Sequence, residues 1–233
     1  MASNFAVIFD LNGTLVDTEG AYFEAYRQVL KAHRIEFTIS AFTDFWTKRG
    51  ATLPDYLNAI ERSDLLPIVP ELLQEKDRLF QESIKTNLIA MPGGHNIILE
   101  LKQQNIPLGL DSSTTRENIV LMLQGLGVAS AFSAVASGDM KLDETKYGNR
   151  KDKSARLKYL ADQLGMLSNS VIVIGDADKD LRGAKGARMK FVAVPNCYTF
   201  DQDLSAADLN VSSLADLNYN VLCECFALQL EKL

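Results

Sequence analysis

Cysteine is scarce in this chain of 233 residues: there are three, Cys197, Cys223 and Cys225. An odd count, with two of the three separated by a single residue, excludes a disulfide framework. Cys223-x-Cys225 has no second ligand pair, so it is a weak metal signal, and reduced thiols are the plainer reading. Positive charge is also in deficit, with 24 Lys and Arg against 30 Asp and Glu for a net charge of −6. A surface of that sign is unsuited to gripping nucleic acid or an anionic membrane. It leaves room for a local site that takes a small anionic substrate. Long apolar runs are missing. The run Phe5–Phe9 is too short for a signal peptide or a membrane span, and no basic region precedes it. The expectation is a cytoplasmic protein with neither nucleic acid nor membrane as a partner. There is no internal repeat and no low-complexity tract, and monomer or dimer is left open.

What is present is an ordinary globular composition, 47% hydrophobic and 23% charged. At roughly 150 residues per domain, the length suits one domain with an insertion or two small domains. Four short apolar runs recur: Phe5–Phe9, Ile106–Leu110, Ser170–Ile174 and Phe191–Val194, with Ala131–Ala136 a weaker fifth. Runs apolar on both faces predict buried strands of a parallel sheet. Helical patterns at His95–Asn105, Arg116–Leu126, Ser154–Leu164 and Asp178–Arg188 alternate with them. This alternation predicts an α/β fold with a doubly wound parallel sheet. The stretch 17–89 breaks the alternation, with helical patterns at Ala21–Ala32, Pro54–Ile60 and Pro70–Ile84. It reads as a small α-helical domain inserted after the first strand, leaving 1–16 and 90–233 as the sheet domain.

Polarity begins where the strands end. Asp10, Ser112 and Asp176 each follow an apolar run. In open parallel sheets that carboxyl edge is where ligands bind, so three residues distant in sequence are expected to converge there. Asp10 precedes the turn Asn12-Gly13-Thr14, whose glycine permits close backbone approach to a ligand. A carboxylate in that place can attack an electrophile or hold a metal; the bland alternative is a strand–helix turn with a capping Asp. Asp176, Asp178 and Asp180 concentrate negative charge that needs a cation or a lysine, and a hard divalent ion such as Mg2+ suits few carboxylates with water and phosphate oxygen. A solvated acidic loop at a helix N-terminus is the alternative. Ser112-Ser113-Thr114 opens a helix and can bind an anion, or simply cap it with Thr114 and Glu117. Among Arg150, Lys151 and Lys153, a lysine could reach both the acidic cluster and a phosphate.

In this order the residues resemble the motifs of the haloacid dehalogenase (HAD) superfamily. Ala6–Thr18 matches its nucleophile motif at all but one defining position, Leu108–Ser112 its second motif, and Gly175–Asp180 its GDxxxD motif. The insertion is similar to the small helical cap of the phosphoglycolate phosphatase and β-phosphoglucomutase branch. The resemblance implies that Asp10 attacks phosphorus to give an aspartyl-phosphate. It implies that Ser112 and a lysine hold the phosphoryl oxygens. Counting back from Leu164-Gly165 selects Lys151, with Lys153 as second choice. Asp10, Asp176 and the backbone carbonyl of Asn12 would bind Mg2+, and Asp180 would support the lysine or a metal-bound water. Gly13, Thr14 and Ser113 would support the site, and Lys48, Arg49 and Gly50 in the cap would face the substrate.

One position departs from that pattern. The phosphatases of the family carry a second Asp where this chain has Asn12. That Asp protonates the leaving oxygen and then activates water, which Asn cannot do. Acid–base help of this kind is worth about 10²–10⁴ in rate. The leading expectation is a Mg2+-dependent hydrolase of a small phosphorylated metabolite, slowed by Asn12. The alternative is a catalytically impaired protein of the same fold that binds a phosphorylated ligand or partner, whether the Asn is natural or engineered.

Overall fold

The structure is a computed structural model that describes residues 5–227. Eight strands occur among them: β1 Ala6–Asp10, β2 Val16–Asp17, β3 Ile89–Ala90, β4 Leu108–Asp111, β5 Ala134–Ala136, β6 Val171–Gly175, β7 Lys190–Ala193 and β8 Leu209–Asn210. Six form one sheet in the order β5-β4-β1-β6-β7-β8, and every pairing in it is parallel. All five apolar runs form strands of this sheet. Strand β8 was not foreseen, because two residues leave no apolar run to read.

Contacts divide the chain into two compact units. The first holds the described residues up to Asp17 and from Ile89 onward; the second is Thr18–Leu88. The expected boundaries at 17 and 89 shift by one residue each. The cause is an antiparallel ladder between β2 and β3, pairing Val16 with Ala90 and Asp17 with Ile89. It ties both crossings of the chain to the sheet unit.

The helical unit contains α1 Glu19–Ala32, α2 Ile39–Phe42, a π-helical turn Thr43–Lys48, α3 Leu53–Ala59 and α4 Val69–Thr86. Its own core includes Tyr26, Leu30, Phe37, Phe42, Leu53 and Leu57. Phe45 and Trp46 pack against that core, with the Trp46 ring 4.8 Å from Tyr26. Helix α3 starts where Thr52 and Asp55 cap it reciprocally and Pro54 occupies the first turn, a position that needs no N–H.

The sheet unit adds α5 Gly94–Gln103, α6 Arg116–Gly125, α7 Glu144–Tyr147, α8 Lys153–Gln163, α9 Asp178–Gly186 and α10 Tyr219–Ala227. Side chains alternate across a strand, so Ala6 and Ile8 share one face of β1 with Asp10. Ala6 and Ile8 join Val171, Val173, Leu157, Leu160 and Ala184 in one buried cluster, which puts α8 and α9 over that face. The opposite face is covered too, since Val7, Phe9, Ile172 and Ile174 are fully buried. Burial on both faces is why these strands read as unbroken apolar runs.

Candidate active site

Strands β1, β4 and β6 end together, so Asp10, Ser112 and Asp176 come to one edge. Asp10 and Asp111 are register partners on adjacent strands. The Asp10 carboxylate is buried; its Oδ1 accepts a hydrogen bond from Lys153 Nζ at 2.6 Å. Its Oδ2 is buried and has no hydrogen-bond donor. Asp176 is held on both oxygens, by the Thr14 hydroxyl at 3.1 Å and the Asn196 amide at 2.9 Å. Asp180 accepts from Lys153 at 2.7 Å and from the Ala177 backbone N–H at 3.1 Å. The second bond caps α9 and fixes the carboxylate's direction.

Carboxylate oxygens of Asp10, Asp176 and Asp180 lie within 4.8 Å of one another, all buried. Burial disfavours their charged forms, and like charges add to the effect. Burial, with Asp180 nearby, pushes Asp10 up to about 6 against the attraction of Lys153. Burial, with Asp180 and Asp10, pushes Asp176 up to about 8. Burial would also raise Asp180, but Lys153 and Lys179 outweigh it and hold Asp180 low. Burial would lower Lys153, yet Asp10, Asp180 and Asp111 hold it well above its ordinary value. The donor set therefore fits a hard divalent cation. It offers oxygen ligands, excess negative charge, and one buried oxygen of Asp10 that nothing else satisfies.

Gly13 is required where it stands. It adopts φ +85°, and a Cβ there would fall 2.7 Å from Asp176 Oδ2 and 2.9 Å from Asn196 Nδ2. The Asn196 amide also donates to the Gly13 carbonyl at 3.0 Å, tying this turn to the loop after β7. Ser112 is buried; its hydroxyl donates to Asn12 Oδ1 at 2.9 Å, and its backbone N–H donates to Ala136 O.

The expected lysine is corrected. Lys151 is exposed, and its backbone N–H donates to Asn149 Oδ1 at 2.9 Å. The lysine among the carboxylates is Lys153. Helix α8 begins there because Asp152 caps it, accepting from the Ser154 N–H at 2.9 Å. Counting back to Lys151 took in two residues of the preceding turn. Ser113 is exposed. The cap of α6 is Thr115, accepting from Asn118 N, rather than Thr114. Asp178 stands apart from the other two aspartates and pairs with Arg182 at 2.6 Å. Lys48, Arg49 and Gly50 lie on the helical unit. Lys48 closes its π-helical turn, and the Arg49 guanidinium sits 4.9 Å from the centre of the Phe45 ring.

A family profile described as haloacid dehalogenase-like hydrolase matches residues 7–194. The chain belongs to the haloacid dehalogenase-like hydrolases. Relatives of this HAD-like hydrolase include a phosphorylated carbohydrates phosphatase of Thermotoga maritima, 30% identical over 184 residues, 78% of this chain and 81% of the relative. A phosphoglycolate phosphatase of Escherichia coli is 25% identical, over 91% and 90% of the two chains. The fold is shared with CbbY of Rhodobacter sphaeroides, solved with phosphate, at TM-score 0.76 and 21% identity over 91% and 95% of the chains.

Sequence reasoning gave no role to three residues that the structure places around these carboxylates. Asn196 lies beyond the end of β7 as Asp176 lies beyond the end of β6, and that shared position was its available signal. Asp111 and Arg156 are the other two. They are fully and nearly fully buried, and Arg156 holds both oxygens of Asp111, at 2.6 and 3.0 Å. Beside Thr14 and Asn196 lies a cavity of about 270 Å³, whose wall includes Met91, Tyr198 and Ser213. No helix among the described residues is long and apolar enough to cross a membrane.

Proposed function

We propose that this chain is a Mg2+-dependent phosphatase of a small phosphorylated metabolite, working in the cytoplasm through an aspartyl-phosphate on Asp10. The observation that carries this reading is the meeting of Asp10, Asp176, Asp180 and Lys153 at one sheet edge. A carboxylate oxygen of Asp10 attacks phosphorus, the bond from phosphorus to the ester oxygen breaks, that oxygen takes a proton from solvent and departs as the alcohol, and Asp10 carries the phosphoryl group. Water then attacks that phosphorus, releasing inorganic phosphate and restoring the carboxylate. Lys153 and the Ser112 hydroxyl hold the phosphoryl oxygens and offset charge that would repel the attack. Asp10, Asp176 and the Asn12 carbonyl would hold Mg2+, which supplies further charge neutralisation when bound. Asp180 keeps Lys153 aimed at Asp10. We infer that the helical unit serves as a cap, with Lys48, Arg49 and Gly50 as its candidate substrate contacts.

Asn12 favours a second reading, a slowed or arrested member that binds a phosphorylated ligand or partner. Its amide neither gives a proton to the leaving oxygen nor takes one from water. An acyl phosphate, whose leaving group needs no proton, separates the two readings. Acetyl phosphate with Mg2+ is expected to leave a phosphoryl group on the peptide containing Asp10, seen by mass spectrometry after acid quench, and Asn12→Asp to shorten its lifetime. Absence of the label from both forms would exclude the aspartyl-phosphate.

A further inference from the structure

We propose that Asp111 and Arg156 are positioning residues that fix the Lys153 ammonium against Asp10; this deepens the phosphatase reading and rests on it. Two independent regularities bring the four charges together. The parallel register sets Asp10 beside Asp111 on one sheet face. Lys153 and Arg156 are three apart on α8, hence on one helix face above that sheet. The Lys153 Nζ contacts Asp10 Oδ1 at 2.6 Å, Asp180 Oδ1 at 2.7 Å and Asp111 Oδ2 at 3.2 Å. The Asp111 oxygens are in turn clamped by Arg156 Nε and a terminal nitrogen at 2.6 and 3.0 Å. The other terminal nitrogen donates to the Arg150 carbonyl at 3.0 Å, and the Arg150 side chain donates to the Gly138 carbonyl at 2.9 Å. The chain of contacts thus runs from the β5 end of the sheet to the Asp10 carboxylate.

The arrangement is costly for stability alone. A buried ion pair is often no better than packed apolar side chains of similar volume. Its geometry serves Lys153 instead. A lysine is a point charge on a flexible stem and takes its direction from what surrounds it. On the other side, Gly183 lets α9 approach the lysine stem, since a Cβ there would fall 2.8 Å from Lys153 Cγ. Asp111 supplies the third acceptor, and Arg156 keeps that acceptor from turning away. When a phosphoryl group comes to Asp10, the ammonium is already aimed at it.

The test measures affinity for inorganic phosphate with Mg2+ by titration calorimetry, so it does not require turnover. Asp111→Asn is expected to weaken phosphate binding about tenfold, the effect typical of losing a group that orients a ligand-binding side chain. In a Lys153→Met background the same change is expected to alter affinity less than about twofold, because the residue acts through the lysine. Asp111→Asn leaves Arg156 buried without its partner. The neutral pair Asp111→Asn with Arg156→Gln is therefore measured as well, with the same loss expected and folding verified by melting. Equal losses in both lysine backgrounds, or no loss in either form, would overturn the positioning role alone. Failure of the unaltered chain to bind phosphate would overturn this role together with the phosphatase reading.

Discussion

The Ser112 hydroxyl donates to the side-chain oxygen of Asn12 at 2.9 Å, across 100 positions of sequence. Asp at position 12 would accept the same bond through one carboxylate oxygen and keep the other for proton transfer. Under the phosphatase reading, Asn thus separates the scaffold role of position 12 from its proton chemistry, keeping the first and losing the second. The consequences of that separation, and of the charges beside it, are measurable.

Lys153 and Lys151 separate cleanly. Lys153→Ala is expected to slow phosphoryl transfer to Asp10 by about 10²–10³, the usual effect of deleting one charge-stabilising donor. Lys151→Ala, at an exposed position, is expected to change rate less than about twofold and stability less than about 0.5 kcal/mol. Single-turnover kinetics and melting curves check both. The reverse pattern would return the role to Lys151.

Asp10→Asn removes one of three crowded buried carboxylates. It is expected to abolish phosphoryl transfer while leaving the metal-free fold intact or more stable, because like-charge repulsion falls. Activity retained in the folded variant would exclude Asp10 as nucleophile.

Stability and pH are linked through the same carboxylates. Asp10 and Asp176 are raised from 3.8 to about 6 and about 8. The folded chain then binds protons more tightly than the unfolded chain over that window, so metal-free stability falls as pH rises from about 4 to about 8. Asp180, held low, acts oppositely and only at more acidic pH. A cation competes with those protons, so stabilisation by Mg2+ is expected to be small near pH 5 and larger near pH 8. Melting curves with Mg2+ and with chelator across this range provide the check. A Mg2+ shift that is flat or falls with pH would count against the carboxylates as its ligands.

Gly13→Ala tests the turn. The left-handed backbone alone costs a residue with a Cβ about 1–2 kcal/mol. The added atom also meets Asp176 and Asn196. A lower melting temperature and weaker Mg2+ binding are expected together. A fall in stability with Mg2+ affinity unchanged would show that the turn does not serve the cation site.

The sheet was legible because its strands are buried on both faces and stop at polar residues. The strand ends carried Asp10, Ser112 and Asp176 with them. What stayed hidden depends on facts outside local pattern. Whether Lys151 or Lys153 meets Asp10 is decided by the Asp152 cap, which places the helix start. The pairing of Asp111 with Arg156 follows from the register of β4 on β1, invisible before those strands are aligned. Ser113 shares Ser112's chemistry but falls on the exposed side of its turn.

The most direct measurement is phosphate release from a panel of phosphorylated metabolites with Mg2+, by the chain as it stands and by Asn12→Asp. The Asp form is expected to release phosphate about 10²–10⁴ faster from at least one ester, the worth of a positioned acid–base group. If neither form turns over any of them, the phosphatase reading is contradicted.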